Sequence, residues 1–210
     1  AVSDQNTGVR KAAIIGLGKM GTPRAIAILW DIATGPLSAI GVKAAAALAA
    51  AGDARGVSRI EDAAGDANPT VRAAAMKSLV GTGVRDPYRI WSKGLKDDPQ
   101  VAIAAARFLI RYDKYREDVL ERMREIWKAG GVYSSKARMF LAREGDAEAV
   151  ESIRLEFEDF DPGSLAEAIH KTSRISYFYS EFLGFLGSRD SQVRLEAARA
   201  IVRQCRPAGQ

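Results

Sequence analysis

Asn68-Pro-Thr-Val-Arg-Ala-Ala-Ala-Met-Lys-Ser-Leu79 is the stretch that decides the fold. Asn68 is a residue type whose side chain satisfies a free N–H at a helix start. Pro69 follows in the first turn, where a missing N–H costs little. Val71, Ala75 and Leu79 come four apart, which places them on one helical face. Thirty residues on, Asp98-Pro-Gln-Val-Ala-Ile-Ala-Ala-Ala-Arg-Phe-Leu109 has the same pattern, and Asp190-Ser-Gln-Val-Arg-Leu-Glu-Ala-Ala-Arg-Ala-Ile201 has it again.

Working outward from these segments gives a register of about 31 residues, anchored at Val9, Ile40, Val71, Val101, Tyr133 and Val193. Four after each anchor stands an alanine: Ala13, Ala44, Ala75, Ala105, Ala137 and Ala197. Eight after it stand Leu17, Leu48, Leu79, Leu109, Leu141 and Ile201. At offset 12 come Gly21, Gly52, Gly83 and Gly145, with Asp113 and Cys205 in the other copies. Glycine there predicts the end of a first helix. A second helix is predicted from apolar residues at offsets 17 and 20, such as Ile26 and Leu29 or Val150 and Ile153. In the fourth copy it lengthens to about Lys114–Lys128, with Val119, Met123 and Ile126 inward. Self-similarity at such a period is the mark of a stack of helical hairpins. The 36 alanines among 210 residues suit closely packed helices.

The three quoted segments resemble the HEAT-like repeat family, most closely its short bacterial variant of the phycobilin-lyase type. The resemblance implies an all-α fold, a right-handed α-solenoid of about six and a half helical-hairpin repeats within a single domain over residues 1–210. The repeats are expected near 6–36, 37–67, 68–97, 98–129, 130–161, 162–189 and 190–206. The sixth departs from the pattern. It carries a short helix near Ser164–Lys171 and an aromatic one from Ile175 to Leu186, with Phe178, Phe182 and Phe185 on one face.

The family's members include scaffolds, adaptors and a few enzymes, so function has to come from particular side chains. Offset 15 lies about 200° around the second helix from offset 17 and so faces away from the core. It holds Arg24, Arg55, Asp86, Arg116 and Glu148, with Arg59, Arg85, Arg89 and Lys93 nearby. In HEAT-like folds the second helices line the concave surface, so these cations are expected to project outward as a ladder for a partner. Asp31, Asp62 and Asp86 share that face and would neutralise part of it. Tyr177 and Tyr179 are a second candidate patch, since aromatics anchor interfaces. The net charge of +5 hides a band at 144–167 in which nine acids face Arg154 alone.

Ile14-Ile-Gly-Leu-Gly-Lys-Met-Gly-Thr-Pro23 contains Gly16, Gly18 and Gly21, a formal G-x-G-x-x-G similar to the nucleotide-binding turn of hydroxyacid dehydrogenases. That motif needs a preceding strand and an acid about 20 residues on; here position 41 is Gly41, and Gly21 is already the repeat's helix-ending glycine. It is read as a decoy.

With one cysteine, Cys205, and one histidine, His170, no intrachain disulfide or multi-histidine metal centre is expected. No apolar run reaches the length of a membrane span. Beginning at Ala1, the chain reads as a processed product or a fragment, with a cytoplasmic location the first expectation and export the second.

These features lead to the expectation of a non-catalytic scaffold or adaptor for a protein partner, without cofactor, metal or evident small-molecule substrate. Binding of nucleic acid or another anionic polymer through the arginine ladder is the first alternative. A phycobilin-lyase-like enzyme subunit is the second, although no bilin pocket is marked.

Overall fold

The computed structural model describes residues 2–36 and 38–205; two of the expected repeat bounds, Leu37 and Arg206, lie outside the described residues. Among them the secondary structure is entirely helical, thirteen α-helices and one short 3-10 turn with no strand. The chain divides into two compact units, Ala1–Arg122 and Met123–Gln210, and the division falls inside one helix.

The first unit runs through α1 (Thr7–Met20), α2 (Pro23–Thr34), α3 (Ala39–Ala50), α4 (Ala54–Ala64), α5 (Pro69–Ser78), α6 (Pro87–Leu95) and α7 (Pro99–Leu109), and takes in the start of α8 (Asp113–Lys128). Helix starts follow the sequence closely. The side chains of Asn6, Asn68 and Asp98 accept from the N–H groups of Gly8, Thr70 and Gln100 at 2.8–2.9 Å. At offset 12, Gly21, Gly52 and Gly83 have φ of +57°, +88° and +78°, a region nearly closed to side chains bearing a Cβ.

Odd-numbered helices pack in order, α1 on α3, α3 on α5 and α5 on α7; α2 and α4 pack on α3, α4 also on α5, and α6 on α7. Apolar offsets explain this arrangement. Ala44 and Leu48, Ala75 and Leu79, and Ala105 and Leu109 are all buried. Small residues allow the close approach: a Cβ added to Gly56 would run into the Ala45 carbonyl and the Ala49 backbone nitrogen.

A contact that repeats through the chain was not visible in the register. One residue after the anchor, Arg72 turns back and donates to the carbonyls of Asp66 and Ala67, both at 2.8 Å. Arg10 does the same to Asp4 and Gln5, and Arg194 to Ser188 and Arg189. Each arginine thus ties down the turn that leads into its own helix.

The third hairpin departs from expectation. Helix α5 ends at Ser78, and residues 79–86 form a loop rather than another helical turn. Gly81 and Gly83 both adopt positive φ, and the Thr82 hydroxyl bonds the Leu79 carbonyl at 3.0 Å. The loop keeps Thr82 and Val84 buried while leaving Val80 56% exposed.

The second unit contains the end of α8, α9 (Ser134–Arg143), α10 (Ala147–Asp159), α11 (Pro162–Thr172), a 3-10 turn (Ser176–Phe178), α12 (Tyr179–Phe185) and α13 (Ser191–Cys205). The aromatic segment expected as one helix is therefore a 3-10 turn followed by a short α-helix. Phe178 and Phe182 are fully buried, with Phe157 edge-on to Phe178 and Phe185 at 5.3 and 5.7 Å. Helices α11 and α12 both pack on α13.

Candidate functional site

The second-helix cations do not form one uniform row. Arg24 is exposed in the first turn of α2. Arg55 pairs with Asp53, the N-cap of α4, at 2.6 Å, and its guanidinium lies 4.3 Å from the centre of the Trp30 ring. That pairing offsets the unfavourable placement of a cation at a helix N-terminus. The Arg55 guanidinium beside Asp53 holds that carboxyl below its ordinary pKa.

Arg59 was expected to project outward. Instead it is half-buried and donates to the carbonyls of Ala33 and Gly35, both at 2.8 Å, closing the C-terminus of α2. Its length and its fork of donors explain the difference: carbonyls left open at a helix end attract a guanidinium within reach. Arg122 of α8 closes α6 in the same way, donating to Leu95 and Asp97.

Arg85 is exposed in the loop before α6, Arg116 is half-buried on α8, and Asp86 is the N-cap of α6. Arg89 and Lys93, both exposed, line a groove of about 690 Å³ between α4, α5 and α6. That groove also holds Arg72 with Glu61, Asp66 and Asp97, and is therefore balanced at three cations to three carboxylates. Within it Arg72 grips Asp97 with a two-point fork at 2.7 and 2.8 Å, and this hydrogen bonding lowers the Asp97 pKa.

In the second unit Tyr177 is half exposed, and its hydroxyl packs against Gly145; a Cβ there would overlap the ring. The Tyr179 hydroxyl lies 3.9 Å from the Cys205 sulfur. Exposed His170 contacts Glu196 at 3.0 Å. Each of these side chains meets a neighbour within its own unit.

A different surface, missed in the sequence, crosses the first helices. A trough of about 570 Å³ runs over α1, α3 and α5, lined in part by the small residues Gly18, Ala46, Ala47 and Ala50. Lys19, Lys43 and Lys77 line it, and among the described residues no carboxylate does. Ile15 and Val80, both more than half exposed, also line it. At Val80 and Gly81 it adjoins an aromatic niche of about 240 Å³, built from Tyr88, Trp91, Phe108 and Tyr112 with Arg111. Trp91 stacks on Phe108 at 5.0 Å, and its indole N–H donates to the Met76 carbonyl at 2.9 Å. Tyr88 meets Tyr112 edge-on, and the neighbouring Tyr112 phenol pushes the Tyr88 pKa up.

The three lysines fall at offsets 10, 3 and 6 from Val9, Ile40 and Val71. Overlaid on one helix they make an i, i+3, i+7 set, which shares a face. Overlaying the repeats and asking which charges coincide in direction was the signal that would have found them.

Gly16, Gly18 and Gly21 sit inside and at the end of α1, with no strand before them among the described residues. The phosphate-binding turn is absent: Gly18 serves close packing, its added Cβ falling 3.0 Å from that of Ala47. Among the described residues, no three His, Cys, Asp or Glu side chains gather so as to hold a metal ion, and no helix is long and apolar enough to cross a membrane. No protein-family model and no curated protein matches the chain.

Proposed function

We propose that the chain is a HEAT-like right-handed α-solenoid of about six and a half repeats and serves as a non-catalytic scaffold for a protein partner. The observation that carries this reading is the side-by-side packing of α1, α3, α5 and α7 in the first unit. Packed in that way, successive helices offer one continuous face to which each contributes a few side chains. Several arginines are engaged in holding successive elements together, as with Arg59, Arg72 and Arg122. That use supports a rigid display surface over a reactive centre.

A second reading, binding of an anionic polymer, draws on the exposure of Arg24, Arg85, Arg89 and Lys93. The test is capture of partners from the source organism, identification by mass spectrometry and reconstitution with the purified partner. A complex of defined stoichiometry with a chemically unaltered protein is expected. Recovery of nucleic acid alone, with affinity falling steeply as salt rises, would replace the scaffold reading with the second one.

A further inference from the structure

Helix α13 leaves bare a face that its counterparts in the first unit bury. At offsets 2 and 5 stand Val42 and Ala45 on α3, Ala73 and Met76 on α5, and Ile103 and Ala106 on α7, all buried. On α3 and α5 the second helix of the same hairpin lies against this face. A Cβ added to Gly56 of α4 would run into the Ala45 carbonyl, and one added to Gly94 of α6 would fall 2.7 Å from the Met76 sulfur. On α13 the same offsets hold Leu195, 42% exposed, and Ala198, also exposed. Val202, 53% exposed, and exposed Cys205 continue them at i+7 and i+10, so the four form one apolar stripe.

A second stripe adjoins the first. Tyr179, Leu183 and Leu186 come at i, i+4 and i+7 along α12 and its C-cap and are 38–47% exposed, while Phe182 is buried. Helices α12 and α13 pack together, and the stripes meet where Tyr179 Oη lies 3.9 Å from Cys205 Sγ. Two packed helices with adjoining apolar stripes offer a seat for the apolar face of a third helix. Ala198, near the middle of the α13 stripe, permits the close approach that Ala45 permits on α3.

Charges beside the seat differ in exposure. Arg199 and Arg203, four apart, run along one side of the α13 stripe, with Arg194 on the other. Arg194 donates to the carbonyls of Ser188 and Arg189, and Arg203 to the Ser173 hydroxyl; these acceptors are neutral, so both positive charges persist. Arg199 pairs with Glu196, but its side chain is 53% exposed against 12% for the acid. Glu181 of α12 is 16% exposed and holds Arg154. An arriving helix thus meets guanidinium groups before carboxylates. A second copy of this chain fits poorly. Arg199 lies midway between Leu195 and Val202, so antiparallel pairing of two α13 stripes would set it beside its mate at the two-fold axis. Resting on the scaffold reading, we infer that this two-helix face docks an amphipathic helix of a partner protein, with Asp and Glu flanking the apolar stripe of that helix.

The experiment pans a phage-displayed library of helical peptides on the whole chain. Each peptide has Leu or Ala at i, i+3, i+4 and i+7, and Glu, Lys, Gln or Ser at the flanking positions. Enrichment of Glu over Lys is expected. Cys205 is the only cysteine and borders the seat, so a bound peptide should slow its reaction with a thiol reagent more than about 10-fold. Two variants follow, Leu195→Asp with Val202→Asp, and Arg199→Glu; all three positions are exposed, and helical content is checked first. The first variant should weaken binding more than about 10-fold, and the second should shift enrichment from Glu towards Lys. Peptides indifferent to flanking charge, full-strength binding to the aspartate variant, unchanged Cys205 reactivity or no enrichment would overturn the assignment. A wild-type dimer in sedimentation that the aspartate variant disperses would give the face to a second copy and overturn it as well. None of these results touches the scaffold reading, which stands or falls on capture of a protein partner.

Discussion

Replacing Arg72 with methionine tests how the first unit is held together. Its guanidinium makes four hydrogen bonds, two to the Asp97 carboxylate and one each to the carbonyls of Asp66 and Ala67. The Arg72 and Asp97 side chains are 18% and 27% exposed, so water screens the pair only partly. A hydrogen bond to a charged group contributes about 1.5–3 kcal/mol, but these four are made by one group and cannot be added. Methionine keeps the packed stem, so the expected loss is about 2–3 kcal/mol. Part of it should depend on pH. Hydrogen bonding to Arg72 holds the Asp97 carboxyl below its ordinary value, so the folded pKa is lower than the unfolded one, about 3.9. The pair's contribution is therefore complete above about pH 4 and disappears as pH falls through the lower folded value. Urea unfolding of wild type and variant, followed by circular dichroism and by buried Trp91, gives the difference at each pH. It should be full near pH 7 and shrink below about pH 4, leaving the share due to the two carbonyls. A difference under about 0.5 kcal/mol, or one that does not change with pH, would refute the argument.

Leu48→Ala removes a fully buried side chain from the packing of α3 and should destabilise by about 2–5 kcal/mol in the same urea assay. Gly56→Ala forces backbone apart between α3 and α4 and should cost about 1–3 kcal/mol even though alanine is the better helix former. Gly16→Ala should have the opposite sign, a gain of about 0.5–1 kcal/mol, because its added Cβ meets nothing within 4 Å in the middle of α1. Arg59→Met uncovers two carbonyls at the end of α2 and should lower stability by about 1–3 kcal/mol, read as a lower thermal midpoint.

Helix spacing was legible because it depends on backbone geometry that few residues satisfy. Asn68 and Asp98 cap helices where their sequence phrases begin, and Gly52 and Gly145 take the positive φ that offset 12 demanded. Gly83 shows the limit of this reasoning. It too has positive φ, yet α5 stops five residues before it, because Gly81 and the Thr82 hydroxyl offer the chain another hydrogen-bonded path. A repeat register assigns each offset one conformation; it does not weigh two glycines two residues apart. The aromatic segment after Ile175 behaved alike, splitting into a 3-10 turn and α12 while Phe178 and Phe182 still reached the interior and Phe185 is half-buried.

The site was less legible because the ladder was drawn from Cβ directions, whereas a guanidinium ends several bonds farther out. Arg55 and Arg59 occupy the same face of α4, yet one bends back to Asp53 and Trp30 and the other crosses to the open end of α2. Their destinations depend on which acceptors lie within reach, and those belong to other parts of the chain. Lys19, Lys43 and Lys77 come from three repeats at three offsets, so no single column of the register contains them. The packing of α1, α3 and α5 brings them to one trough, and Val80 and Gly81 of the broken turn line both that trough and an aromatic niche. Regularity in the repeats makes the neighbouring helices align. The side chains that distinguish one repeat from the next sit where regularity fails, since identical units would present the same residues at every step.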